Sequence, residues 1–252
     1  KDKKFVDVTK ESNIYDSPLG YGLALTTTDF NDDGWLDLYV GNDFHENDYI
    51  YINNKDKTFS ESIKKSMSHT SHFTMGVDVA DLNQDGKLDV FTTDMMPYDP
   101  KIFLKSGGED LDKISRIKKD LGFEQQFSRN HMQINSGNNT FYDVAIQTNT
   151  HATDWSWGVL LQDFDSDGKE DIFISNGILK RPNDLDYINY LSNVDFTEYN
   201  NSRQDVLKKN LIDKMPTLKI PNILFKNNGD LNFEKVNSSN TGVPSYSNGA
   251  AY

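Results

Sequence analysis

A nine-residue acidic pattern occurs three times in this chain, as DFNDDGWLD at 29–37, DLNQDGKLD at 81–89 and DFDSDGKED at 163–171. Each copy follows a glycine-led apolar stretch, from Gly22 to Leu25, Gly76 to Ala80 and Gly158 to Leu161. Each precedes a run with strand character: Leu38 to Val40, Val90 to Phe91 and Ile172 to Ile174. A chain that repeats one supersecondary unit must bury each copy against its neighbours, so the repeat restricts the fold more than any other feature.

A second signature alternates with the first. Asn53-Asn54 leads to Phe59, Asn135-Ser136-Gly137 to Phe141 and Asn227-Asn228-Gly229 to Phe233, and Phe5 to Val8 matches the tail of a further copy. Asn and Gly supply the positive φ that a tight hairpin needs. Each unit therefore reads as strand A, acidic loop, strand B, connection, strand C, tight turn and strand D. Four-stranded units in series predict a mainly β chain, part of a β-propeller with about three blades visible. The units span 20–63, 74–145 and 156–236. The acidic loops start 52 and then 82 residues apart (29, 81, 163), and the extra length falls between strands B and C. Leu111, Ile114, Ile117 and Leu121 within 98–128, and Val206, Leu207 and Leu211 after a possible cap at Ser202 within 183–215, predict partly helical inserts. Residues 1–9 read as the end of a preceding blade and 248–252 as the start of a following one, so the polypeptide is expected to extend beyond both Lys1 and Tyr252.

The acidic loops have the chemistry of calcium sites. Calcium takes six to eight oxygens at roughly 2.3–2.6 Å from carboxylates, amides and backbone carbonyls. Positions 1, 3 and 5 turn alternate side chains inward: Asp29, Asn31 and Asp33; Asp81, Asn83 and Asp85; Asp163, Asp165 and Asp167. Glycine at position 6 permits the reversal. Position 7, held by Trp35, Lys87 and Lys169, offers its carbonyl, and position 9 returns a carboxylate from Asp37, Asp89 and Asp171. Closure at position 9 between strands separates this pattern from an EF-hand, which closes with Glu at position 12 between helices, and the tight octahedron of magnesium suits it less well. A single such loop reads equally well as an ordinary Asn/Asp/Gly turn. Three in phase with the strands predict three Ca²⁺ sites with a structural role.

The charge agrees. Twelve of the 39 acidic residues lie in these 27 positions, and carboxylates packed so densely need a cation between them. A net charge of −13 argues against nucleic acid or an anionic membrane surface as a direct partner. The chain has no cysteine, which excludes disulfides and thiolate metal sites. No apolar run approaches the ~20 residues of a membrane span.

The repeats resemble the FG-GAP/VCBS family, whose best-known members are the propellers of integrin α-subunits. Met75 to Asp81, Asn130 to Asn135 and Thr153 to Gly158 are similar, more closely, to bacterial VCBS proteins related to the ASPIC/UnbV group. The resemblance covers nearly the whole chain apart from the inserts. It implies a secreted or surface-anchored protein, often an outer-membrane lipoprotein whose anchor lies outside this chain, and side-chain ligands at loop positions 1, 3, 5 and 9. Asn31 and Asn83 replace the acid often found at position 3, which lowers site charge and affinity.

If the A–B loops and C–D turns share one face, the inserts and D–A connections share the other. That opposite face collects His69 to Phe73, Met95 to Tyr98 and His151 to Trp155, and is expected to receive a protein or glycan partner. Trp155, Trp157 and Phe73 read more readily as packing between blades. His69, His72 and His151 are not at ligand spacing on one element, which argues against zinc. No G-x-S-x-G, H-E-x-x-H, P-loop or Rossmann pattern is present. The reading is a noncatalytic cell-surface interaction module; the alternative is a propeller-type enzyme acting on extracellular polysaccharide. Extracellular calcium modules bind with Kd on the order of 10⁻⁴ to 10⁻³ M, too weakly to fill at cytosolic calcium, which points to an external location.

Overall fold

The computed structural model describes residues 4–107, 110–194, 204–236 and 242–251; Lys1 to Lys3, the cap expected at Ser202 and Tyr252 lie outside them. Each acidic repeat sits in its own four-stranded antiparallel sheet. The first runs β1 (Tyr21–Thr28), β2 (Asp37–Asp43), β3 (Tyr49–Asn53) and β4 (Phe59–Glu61). The short β5 (Thr70–Ser71) follows, and the second sheet then takes β6 (Gly76–Ala80), β7 (Asp89–Thr93), β9 (His131–Gly137) and β10 (Thr140–Asp143). The third has β11 (Ser156–Gln162), β12 (Asp171–Asn176), β13 (Ile223–Asn227) and β14 (Phe233–Lys235). All three are meanders in chain order. Strand β1 lies beside β6, and β6 beside β11, so consecutive sheets meet through their first strands, as propeller blades do.

The core lies between the sheets. Phe30, Tyr39 and Ile50 of the first pack with Val90 and Phe141 of the second. Leu82, Phe91, Met132 and Ile134 of the second pack with Leu161, Ile172, Ile223 and Phe225 of the third. Full burial of side chains this size stabilises by roughly 1.5–3 kcal/mol each, so neighbouring sheets depend on one another.

Where sheets approach closely, a side chain must be missing. A Cβ at Gly76 would lie 2.3 Å from the Trp157 carbonyl oxygen, and one at Gly158 would lie 2.9 Å from the Ala250 amide nitrogen. Gly22 is not the equivalent of these glycines: it stands seven residues before its acidic loop, where Gly76 and Gly158 stand five before theirs, and Ala24 takes the matching place. Ala24 opposes Gly41 as Gly76 opposes Thr93, and a bulge between Gly22 and Ala24 shifts the register only beyond that pair.

A brace at the opposite end also recurs. The residue just before strand C accepts from the backbone N–H near the end of strand B: Asp48 from Asn42 at 2.8 Å, Asn130 from Asp94 at 2.9 Å and Asn222 from Asn176 at 2.9 Å.

The inserts are partly helical. The B–C connection of the second sheet carries α2 (Pro100–Phe103), α3 (Asp112–Asp120) and β8 (Gln126–Phe127), which pairs in parallel with β5; α1 (Ile63–Ser66) precedes β5. The third sheet's insert carries α4 (Leu185–Ser192) and α5 (Gln204–Lys214). The apolar stripe Leu111, Ile114, Ile117 and Leu121 is exposed, so α3 contributes little to the core. Phe5 to Val8 form no strand and are exposed, because no described strand pairs with them.

Candidate metal centres

The three acidic loops share one hydrogen-bond framework. The position 1 carboxylate accepts from the amides of positions 5 and 6: Asp29 from Asp33 at 3.0 Å and Gly34 at 2.7 Å, Asp81 from Asp85 at 2.9 Å and Gly86 at 2.8 Å, Asp163 from Asp167 at 2.9 Å and Gly168 at 2.8 Å. Position 5 accepts from the amide of position 7 at 3.0, 3.0 and 3.1 Å. Positions 4 and 6 both take positive φ: Asp32 57°, Gln84 60° and Ser166 62°, with 86° at Gly34, Gly86 and Gly168. That reversal folds positions 1, 3 and 5 around one centre.

Position 9 belongs to strand B and closes the loop from below. Asp37, Asp89 and Asp171 are buried. Each accepts from the amide of position 2 (Phe30 at 3.0 Å, Leu82 at 2.9 Å, Phe164 at 3.2 Å) and from a strand C asparagine amide (Asn53 at 2.8 Å, Asn135 at 2.9 Å, Asn227 at 2.9 Å).

These asparagines do more than form the tight turns expected from the sequence. The Nδ2 of Asn135 donates to the carbonyl of Leu88 in its own sheet and to that of Phe30 in the preceding loop, both at 3.2 Å. Asn227 repeats this on Glu170 at 3.1 Å and on Leu82 at 3.0 Å. The amide of Gln84 also donates to the Gly168 carbonyl at 3.0 Å, so neighbouring loops touch. The signal was present in the sequence as an asparagine at one fixed place in three repeats.

Electrostatics divide the acids by position. Burial pushes Asp37, Asp89 and Asp171 up, and Asp89 reaches about 7. The position 5 acids move down. Burial opposes this at Asp33 and Asp85, but the ammonium groups of Lys55 and Lys87 and local amides outweigh it, and at Asp167 the Lys169 ammonium is the main cause. Ammonium groups therefore already approach these loops: Lys55 lies 3.3 Å from Asp33, Lys87 3.0 Å from Asp85 and Lys169 3.1 Å from Asp167, while Lys226 contacts both Asp165 and Asp167. The side chains of Lys87 and Lys169, expected to matter only through their carbonyls, thus face position 5. The position 7 side chain of the first loop, Trp35, is 48% exposed.

The third loop fits a hard cation best. Carboxylate oxygens of Asp163, Asp165 and Asp171 lie within 4.8 Å of one another. Opposite ligands of a calcium ion at 2.3–2.6 Å stand about 5 Å apart, so this spacing suits one ion. In the first two loops Asn31 and Asn83 stand at position 3, and no equally tight gathering of three acids forms there among the described residues. Asn31 and Asn83 instead accept from the amides of Asp33 and Asp85, both at 3.1 Å.

Two further gatherings contain histidine. His45, His72 and Asp110 meet, as do His69, His131 and Asp143, each set with ligand atoms within 4.8 Å. Sequence spacing missed both because every member comes from a different connection or strand. His72 and Trp155, placed on the partner face by the sequence reading, are buried, which fits the packing role weighed for Trp155.

No curated protein matches the chain. Residues 29–92, running from the first acidic loop through β7, match the family model described as FG-GAP-like repeat, and this stretch of the chain is therefore an FG-GAP-like repeat.

Proposed function

We propose that this chain is a noncatalytic calcium-binding interaction module, displayed outside the cell, in which calcium bound by the acidic loops holds the sheets in place for a partner on the opposite face. The observation that carries the calcium reading is the loop framework, whose position 1, 5 and 9 bonds recur in all three copies, with the carboxylates of Asp163, Asp165 and Asp171 at single-ion spacing. Asp29, Asn31, Asp33 and Asp37, Asp81, Asn83, Asp85 and Asp89, and Asp163, Asp165, Asp167 and Asp171 supply side-chain oxygens, and Trp35, Lys87 and Lys169 supply carbonyls. The hard, oxygen-only donor set favours calcium over transition metals. With the amides at position 3, the first two loops bind more weakly than the third.

The partner side of the proposal rests on shape and chemistry. Met96, Pro97, Tyr98, Phe103, His151 and Phe233 line an open cleft of about 450 Å³, with the Lys235 ammonium 4.0 Å above the Tyr98 ring. A protein or glycan surface offering apolar faces suits it.

Thermal unfolding with excess Ca²⁺, excess Mg²⁺ and chelator tests the calcium reading. Each site bound only in the folded state adds ~2.7 kcal/mol at a hundred-fold excess over Kd. The expected result is a rise in Tm specific to calcium, reduced most by Asp163→Ala. Identical midpoints in all three conditions would reduce the loops to ordinary turns.

A further inference from the structure

We propose that His45, His72 and Asp110 form a site for a zinc-class divalent transition metal, chemically distinct from the acidic loops and placed where the second sheet's insert meets the first sheet. The three residues come from three connections: His45 between β2 and β3, His72 between β5 and β6, and Asp110 just before α3. Their ligand atoms lie within 4.8 Å of one another, and His72 Nε2 is 3.8 Å from Asp110 Oδ2. A tetrahedral zinc with bonds of about 2.0–2.1 Å spaces its ligands about 3.4 Å apart. His45 is exposed on a short turn, so its side chain can rotate to meet the other two, whose 3.8 Å separation is already close to that spacing.

The surroundings orient these ligands as an outer shell does. The Nδ1 of His72 faces the Ser128 hydroxyl at 3.3 Å, which directs Nε2 toward Asp110. The His72 ring stacks on Phe73 at 4.1 Å, and Phe73 meets Phe44, the residue before His45, at 5.7 Å. The two histidine-bearing segments are thus fixed to each other through aromatic contacts. Asp110 is held at Oδ2 by Lys118 at 3.1 Å, and Lys118 in turn by Gln126 at 2.6 Å. Two imidazoles and a carboxylate are borderline donors that favour zinc over calcium and leave a coordination position open.

The other histidine gathering differs in one decisive respect. There the Arg129 guanidinium lies 2.6 Å from Asp143 and 3.3 Å from His69, so a cation already occupies the centre. At His45, His72 and Asp110 the ammonium of Lys118 rests on Asp110 Oδ2, the oxygen nearest His72 Nε2, and is itself held by Gln126, so a metal binds there through the other carboxylate oxygen or in place of the lysine.

Such a site would complete a clasp. The far end of the insert is already hooked to the first sheet's connections: Glu124 N–H donates to Asn47 at 2.9 Å, Gln126 to the Glu46 carbonyl at 2.9 Å, and Lys64 pairs with Glu124 at 3.1 Å. A metal at Asp110 would fasten the near end, before α3, to the same region.

The test is titration of the full chain with Co²⁺ and then Zn²⁺ in saturating Ca²⁺, read by visible ligand-field absorption of Co²⁺ and its displacement. The expected result is one Co²⁺ spectrum of low coordination number, retained in Asp163→Ala and weakened at least ten-fold in both His45→Ala and Asp110→Asn. His45 is exposed, so His45→Ala should unfold at the wild-type temperature without transition metal, separating lost binding from lost fold. No such spectrum at millimolar Co²⁺, or one unchanged in both ligand variants, overturns the proposal. Neither outcome depends on whether the acidic loops bind calcium.

Discussion

Single asparagines fasten one repeat to the next. Asn135 satisfies two carbonyls with its Nδ2 and receives the Gly137 amide at 2.9 Å on its side-chain oxygen. Removing a side chain that leaves buried polar groups unpaired costs roughly 1–3 kcal/mol. Asn135→Ala is therefore expected to lower the denaturation midpoint by that order in saturating calcium. Asn53 bonds to Leu36 and Lys55 of its own sheet on the exposed side, so Asn53→Ala should cost less. Equal losses in a paired urea series would remove the special role of the strand C asparagine. At this scale the sequence was legible where a residue acts locally. Aspartates at positions 1, 5 and 9 announce themselves by spacing, whereas the second bond of Asn135 runs to a residue 105 positions away.

Elements meet where backbone approaches backbone. The expected Cβ contact of 2.3 Å at Gly76 falls on the Trp157 carbonyl, which has no rotamer by which to yield. Overpacking of this kind costs typically 1–3 kcal/mol, occasionally more. Gly76→Ala should destabilise by at least that amount, while Gly86→Ala changes no packing, because a Cβ there meets nothing within 4 Å. Its penalty comes only from φ of 86°. Urea denaturation of the two variants, with circular dichroism at the midpoint, tests whether packing or backbone strain dominates. Order and pairing of the strands were readable because apolar runs and Asn/Gly turns alternate without interruption. The bulge in β1 was not, since spacing to the acidic loop puts Ala24 at the Gly76 position but only cross-strand pairing shows that the register slips between Gly22 and Ala24. The positions of the histidines were also hidden, because long inserts fold back onto connections distant in sequence.

For the molecule as a whole, acid should be the weak side. His131 is fully buried, and its ring nitrogens have no hydrogen-bond partner among the described residues. Burial pulls its pKa down to about 3, opposed by the Asp143 carboxylate and reinforced by Arg129 and His69. The unfolded chain takes up a proton near pH 6.5 that the folded chain refuses. Stability from neutral His131 is therefore complete above about pH 6.5 and lost progressively as pH falls toward 3. Asp143 works in the same direction at lower pH: burial raises its pKa, but His69, His131, the Ala145 amide and Arg129 together hold it well below the usual range. His131→Leu removes a titrating ring without orphaning a partner. The expected outcome is a wild-type stability that falls relative to the variant between pH 6.5 and 4; a constant difference across that range would show that His131 titrates normally.

The asparagine bridge also gives the array a direction in time. Each bond runs from strand C of a later sheet back to the loop of an earlier one, over 105 residues from Asn135 to Phe30 and 145 from Asn227 to Leu82. During synthesis, an acidic loop emerges well before the side chain that braces it. At roughly 5–20 residues per second, the first loop waits on the order of 5–20 s for Asn135. Maturation of each loop therefore trails the growing end of the chain by more than one repeat, and a stalled chain carries its last loop unbraced.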